Sequence, residues 1–245
     1  SLTATYLAGN TTIIPITFTI DLNPPLVSFG GSTPIDGAYV RQTIMISATA
    51  TDTVDPVPVV SFTSPVGLND MDGNTANASA TGALNTNSLP EGSVTVRAQA
   101  QDDSGRIGTA ERMYTIDNIP PVVTLLPVHN EAGVVIDGYV SESTATIRGT
   151  VTAGGSPTTV NLTITPGPIT ATLTPDGAGN WSFVTPALNQ GAYIVATAAS
   201  DLAGNIAMMP PSSGFTVDRT PPTISLLQSS VLDERNCDVS VNVNT

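Results

Sequence analysis

The segment Phe18–Phe29, FTIDLNPPLVSF, returns at Tyr114–Leu126 as YTIDNIPPVVTLL and at Phe215–Leu227 as FTVDRTPPTISLL. From Asp21 to Asp117 is 96 residues, and from Asp117 to Asp218 is 101. A repeat of that length is a whole domain, not one turn of a solenoid. Most single-site enzymes are thereby excluded, because any chemistry has to fit a repeated module or its joints. Two complete domains are predicted, 21–117 and 118–218. Residues 1–20 read as the tail of a preceding repeat, since LAGN at Leu7–Asn10 precedes Asp21 as LAGN at Leu202–Asn205 precedes Asp218. Residues 219–245 read as the start of a further repeat, so a longer array is expected.

Short apolar runs separated by Gly, Pro and Asn, without sustained helical periodicity, predict an all-β fold. In the second unit strands are expected at Val122–Leu126, Thr144–Val151, Thr158–Thr165, Ile169–Thr174, Trp181–Thr185, Ala192–Ala199 and Phe215–Val217. Seven short strands with turn signals about every ten residues are the pattern of an immunoglobulin-like sandwich. Tandem sandwiches arranged end to end as an elongated rod follow. The first unit repeats the order: IDGAYV at Ile35–Val40 matches IDGYV at Ile136–Val140, and Leu89–Gly105 matches Leu188–Gly204. Its polar stretch Leu68–Ser88 predicts an irregular or weakly paired fourth strand. No cysteine pair spans the sheets and Trp181 falls on the fifth strand, so the antibody hallmarks are missing. A core of Val, Ile, Leu, Ala and Thr alone is expected.

The motifs PDGAGNWS, LNQG, SDLAGN and FTVDRTPP of the second unit resemble the bacterial immunoglobulin-like repeats of large surface adhesins and biofilm-associated proteins. Asp176–Ser182, Leu188–Gly191, Asp201–Asn205 and Val217–Pro222 carry the turn, the bend, the D-x-A-G-N end and the linker of that pattern. The first unit departs at Asp102–Arg106, DDSGR, and Tyr6 replaces the Asp in the N-terminal tail. The resemblance implies an extracellular stalk, with calcium between neighbouring domains in some relatives.

The joints are the candidate sites. The topology of a seven-strand sandwich brings Asp21 toward Asp52, Asp55, Asp102 and Asp103. It brings Asp117 toward Asp201 and Asp176 of the following unit and toward Asp36 and Glu91 of the preceding one, and Asp218 toward Asp137 and Asp233. Converging carboxylates repel unless a cation intervenes, and calcium accepts six to eight oxygens with loose geometry. The competing account of each Asp is a turn former or strand-end cap, bonding nearby backbone amides. NDMDGN at Asn69–Asn74 lacks the remaining ligands of a calcium loop, and LDER at Leu232–Arg235 lacks its partner motifs. The paired prolines at 24–25, 120–121 and 221–222 fix φ and read as short semi-rigid spacers.

The formal charge of −13 arises from 20 acidic residues against seven Arg and no Lys. Such a surface repels nucleic acid and anionic lipid. No nucleic-acid partner and no membrane insertion are expected. His129, the lone histidine, reads as a solvated loop residue, and no nucleophile or His/Cys metal motif accompanies it. Cys237, the lone cysteine, excludes an intrachain disulfide and reads as a small buried residue. The predicted function is therefore non-enzymatic: a stalk or spacer of a bacterial adhesin, packed against neighbouring repeats and presenting a distal binding region. Two alternatives stay open: a glycan- or protein-binding module centred on Leu68–Ser88, meeting a host or matrix surface, and a filament subunit completed by strands of other copies.

Overall fold

The computed structural model describes residues 2–5, 7–9, 11–65, 68, 71, 78–130, 138–226 and 241–244. The chain divides into two compact units. The first comprises residues 1–120 with the loop segments Gly154–Pro157 and Leu202–Asn205; the second comprises the remainder.

The first unit begins with a hairpin of β1 (Leu2–Thr5) and β2 (Thr11–Ile14). The sandwich follows. Its strands are β3 (Leu26–Phe29), β4 (Tyr39–Val40), β5 (Thr43–Thr51), β6 (Val59–Ser64), β7 (Ser79–Asn85), β8 (Gly92–Gln101) and β9 (Ile107–Ile116). One sheet has the order β3-β5-β7 and the other β4-β9-β8-β6, with β4 and β9 parallel. The two-residue alternation in the sequence decides which side chains face inward. Along β5 it buries Ile46, Ala48 and Ala50; along β8 it buries Val96, Ala98 and Ala100. The interior is graded in size. Val40, Ile46, Leu84, Val96, Tyr114 and Ile116 fill one end. Ala48, Ala50, Ala80, Ala98 and Ala100 fill the other with Val27 and Val60. At that small-residue end Gly108 lies against the chain entry, where a Cβ would stand 1.8 Å from the Pro25 carbonyl oxygen. Between β3 and β4 the chain crosses from one sheet to the other. Arg112 holds this crossing, donating from Nη1 to the carbonyls of Thr33 (3.0 Å) and Pro34 (2.6 Å) while its guanidinium covers the Phe29 ring.

The second unit has the same plan. Its strands are β10 (Val122–Leu125), β11 (His129–Asn130), β12 (Tyr139–Val140), β13 (Ala145–Thr152), β14 (Thr158–Thr165), β15 (Ile169–Leu173), β16 (Asn180–Val184), β17 (Gly191–Asp201) and β18 (Ile206–Val217). In one sheet β13 is central, flanked by β10, β11 and β16; the other has the order β12-β18-β17-β14-β15. A hairpin of β19 (Thr223–Leu226) and β20 (Val241–Asn244) completes the described chain. Trp181 reaches the centre of this core from β16 because β13 carries Gly149 opposite it; a Cβ there would lie 2.1 Å from Trp181 Cζ2.

Four expectations need correction. The cores contain aromatics: Tyr114 in the first, and Trp181, Tyr193 and Phe215 in the second. Large rings bury the most apolar area per residue and fill the space between the sheets alongside the branched aliphatics. The last strand starts at Ile206, not Phe215. Opposite it, the register shifts between Val195 and Thr197, and Pro210–Ser212 fall inside that irregularity, where proline removes no ladder bond. Within Leu68–Ser88, Ser79–Asn85 is fully paired to β5, as the counterpart of β16 and not an irregular fourth strand. His129 is paired to Thr146 with Nδ1 buried, not in a solvated loop.

Candidate cation site

Asp21, Asp52 and Asp102 come from three separate places in the sequence. Asp21 closes the segment that leads into the first sandwich, Asp52 follows β5 and Asp102 follows β8. The sandwich brings β3, β5 and β8 to one end, and a carboxylate oxygen from each Asp lies within 4.8 Å of the others. Among the described residues this is the one such group of three acidic side chains. Each of the three also shapes its own loop. Asp21 Oδ1 accepts from the Asn23 amide at 3.1 Å, and Asp52 Oδ1 from the amides of Val54 and Asp55 at 2.8 and 3.0 Å. Asp102 Oδ1 accepts from Ser104 Oγ at 2.7 Å and the Arg106 amide at 2.8 Å. All of these bonds land on Oδ1, so the second oxygen of each carboxylate accepts none of them and the turn-forming and cation-binding accounts are compatible.

Asp102 is the decisive member. It is buried, and its Oδ2 has no hydrogen-bond partner. Burial pushes its carboxyl up, but the bonds from Ser104 and Arg106 outweigh this and hold it below its ordinary value, so it is ionised at neutral pH. A buried anionic oxygen without a partner is costly. A hard cation, bound by loop carboxylates and carbonyls, satisfies such an oxygen. The donor set is all oxygen, which suits calcium and not a soft metal.

Arg106 sets the other side of the charge balance. Its Nε donates to the Asp21 carbonyl at 3.0 Å, fixing a guanidinium beside the cluster. Asn205 occupies the same place in the next repeat, and its Nδ2 donates to the Asp117 carbonyl at 2.9 Å. The repeats differ around this shared bond. TDTVDP at 51–56 becomes TAGGSP at 152–157, so Ala153 and Ser156 stand where Asp52 and Asp55 stand.

The other expected residues are placed as follows. Asp117 is fully buried, Ile119 donates its amide to Oδ1, and Oδ2 has no partner. Gly155 leaves room for this carboxyl, since a Cβ would stand 3.1–3.4 Å from its three atoms. Asp55 is buried and accepts the Asp103 amide on Oδ2 at 3.1 Å, while Asp103 itself is exposed and outside the group. Asp36 and Glu91 are exposed caps, accepting from the amides of Met113 (2.7 Å) and Asn118 (3.0 Å). Asp201 is buried in the second unit. Asp218 is exposed and accepts from the Thr220 amide and Gln190 Nε2. Asp137, Asp233 and Cys237, with LDER and most of NDMDGN, lie outside the described residues. The linker Asp residues share one further bond: Asp117 donates its amide to Val40 and Asp218 donates its amide to Val140, each at 3.0 Å.

Two sheets that are antiparallel but for the short β12–β18 pairing, with the chain crossing between them from β10 to β12, and β17 opening on Tyr193 bonded to the bend before it, define an immunoglobulin-type sandwich. Residues 119–219 match the family model of the bacterial Ig-like domain. No curated protein compared with the chain matches it. Among solved structures, the fibronectin(III)-like modules of Clostridium thermocellum CbhA are 18% identical, covering 78% of this chain and 94% of theirs at a TM-score of 0.45. A tetra-tandem repeat from the extending region of a large adhesion protein is 26% identical, covering 93% of this chain at a TM-score of 0.37. A calcium-stabilised adhesin with which an Antarctic bacterium binds ice is 22% identical, covering 88% at a TM-score of 0.38. The chain spans 58% and 55% of the latter two. No helix among the described residues is long and apolar enough to cross a membrane.

Proposed function

We propose that this chain is a non-enzymatic spacer of a bacterial extracellular adhesin, with Ig-like modules at 21–117 and 118–218 that set the distance between an anchor and a binding region. The observation that carries this reading is the linker that recurs at Asp21, Asp117 and Asp218, in a chain whose segment 119–219 matches the model of a bacterial Ig-like domain. A repeated module supplies reach in proportion to copy number and presents whatever lies at its tip. Its partners are neighbouring repeats of the same polypeptide.

Calcium belongs to the same proposal. Asp21, Asp52 and Asp102 would hold it through carboxylate oxygens, tying the entry segment to two loops of the sandwich. What the ion supplies there is charge neutralisation and a cross-link between loops. The test is a melting series on the 245-residue chain at millimolar calcium and in excess chelator, paired with small-angle scattering. A melting temperature raised by calcium, and a maximum dimension near that of two domains in series, support the proposal. A calcium-independent melt removes the cation from it, and a collapsed scattering profile with a single shared interior removes the spacer.

A further inference from the structure

The guanidinium of Arg106 stands where the next repeat has an uncharged amide, and this difference has a consequence for the cluster. Arg106 and Asn205 make the same bond, side-chain nitrogen to the carbonyl of the linker Asp, at 3.0 and 2.9 Å. The bond therefore does not require a charge. What the arginine adds is a fixed positive charge, anchored on the main-chain carbonyl of Asp21 beside the cluster. The three carboxylates and one guanidinium sum to two negative charges, to which Asp55 and Asp103 on the same loops add, and a divalent cation offsets part of this total. Without the arginine, the total would be one charge more negative.

We propose that Arg106 is a specificity-determining residue of the Asp21/Asp52/Asp102 cluster, an internal counter-charge that weakens divalent-cation binding and keeps the cation-free cluster from repelling itself. This rests on the reading of the cluster as a cation site. Arg106 is not a ligand, because its side chain has no acceptor. It acts through the field at the oxygens, and a unit charge fixed within a few ångströms of a bound ion changes affinity by about tenfold or more at a protein surface. The arrangement allows the loops to stay ordered when calcium is scarce, and it sets the site to fill only at the high calcium levels of extracellular modules.

The experiment is calorimetric titration of the full chain with calcium chloride, alongside melting in chelator, for the native protein and for Arg106→Asn, Arg106→Gln and Arg106→Lys. Arg106→Asn reproduces the bond that Asn205 makes and removes only the charge. It is expected to bind calcium about tenfold or more tighter, to melt lower than the native chain in chelator, and to gain more from calcium. Arg106→Gln, a second neutral donor, is expected to follow it, and Arg106→Lys, which keeps the charge, is expected to stay near the native affinity. Native binding with no tightening in either neutral variant overturns the role of Arg106 and leaves the cation site standing. Tightening in Arg106→Lys equal to that in Arg106→Asn also overturns it, because bond geometry and not charge would then be the cause. No heat and no melting shift in any variant overturns the cation site itself, and the counter-charge with it.

Discussion

The hydroxyl of Tyr193 donates to the carbonyl of Asn189 at 3.1 Å, closing the bend LNQG onto the strand that follows it. The ring is buried and stacks on Phe215 with centroids 5.4 Å apart. Tyr193→Phe keeps the stack and removes the bond, and should destabilise the second unit by about 1 kcal/mol. Urea unfolding followed by Trp181 fluorescence reads this directly. The first repeat has Val94 at this position and places its ring at Tyr114, paired with Val94 across the ladder, so the same change has no counterpart there.

Gly149 lies between the Thr124 carbonyl and the Trp181 ring, and a Cβ would stand 2.1 Å from atoms of each. Gly149→Ala forces one of them out of place and should cost about 3 kcal/mol. The expected outcome is a large drop in the melting temperature together with a red shift of Trp181 emission. An unchanged melt would mean that the sheet yields more easily than a packed interior does.

Asp176 caps the turn before β16. The Asn180 amide is the main cause of its depressed carboxyl value, aided by the Asn180 side chain and the Ala178 amide and opposed by burial. A depressed folded value stabilises above the unfolded value of 3.8, and that gain is lost as pH falls through the folded one. The melting temperature of Asp176→Ala should therefore lie below native at pH 7 and approach it at pH below 3.8. A gap that is constant with pH would show that the charge is not involved.

Asp52→Asn separates the two jobs of one side chain. The amide oxygen can still accept from Val54 and Asp55, so the loop keeps its cap, while a charged ligand is lost. The expected result is a near-native melt in chelator and a much smaller rise on adding calcium. Equal responses in the two proteins would exclude Asp52 from the site.

The strand order was legible because Gly, Pro and Asn mark the turns and because period-two burial follows directly from apolar alternation. The grouping of Asp21, Asp52 and Asp102 was legible too, since strand topology alone decides which loops share an end. What could not be read was which side chain reaches the carbonyl of each linker Asp. The sequence shows DDSGR where the related pattern has D-x-A-G-N, but only coordinates show Arg106 and Asn205 making one bond with different charge. Asp103 illustrates the opposite limit: it follows Asp102 directly, yet it sits in the turn after β8 and faces solvent. The burial of Trp181 was missed because it depends on Gly149 across the ladder, a pairing that the sequence does not display.

In each sandwich the short parallel pairing, β4 with β9 and β12 with β18, joins the first part of the module to its last strand. Tension on the chain draws β4 back along its own axis and β9 forward along the same line. The ladder bonds are then strained together, lengthwise, and must fail as a set before the module can extend. This short pairing is therefore expected to set the load at which a module of this plan extends.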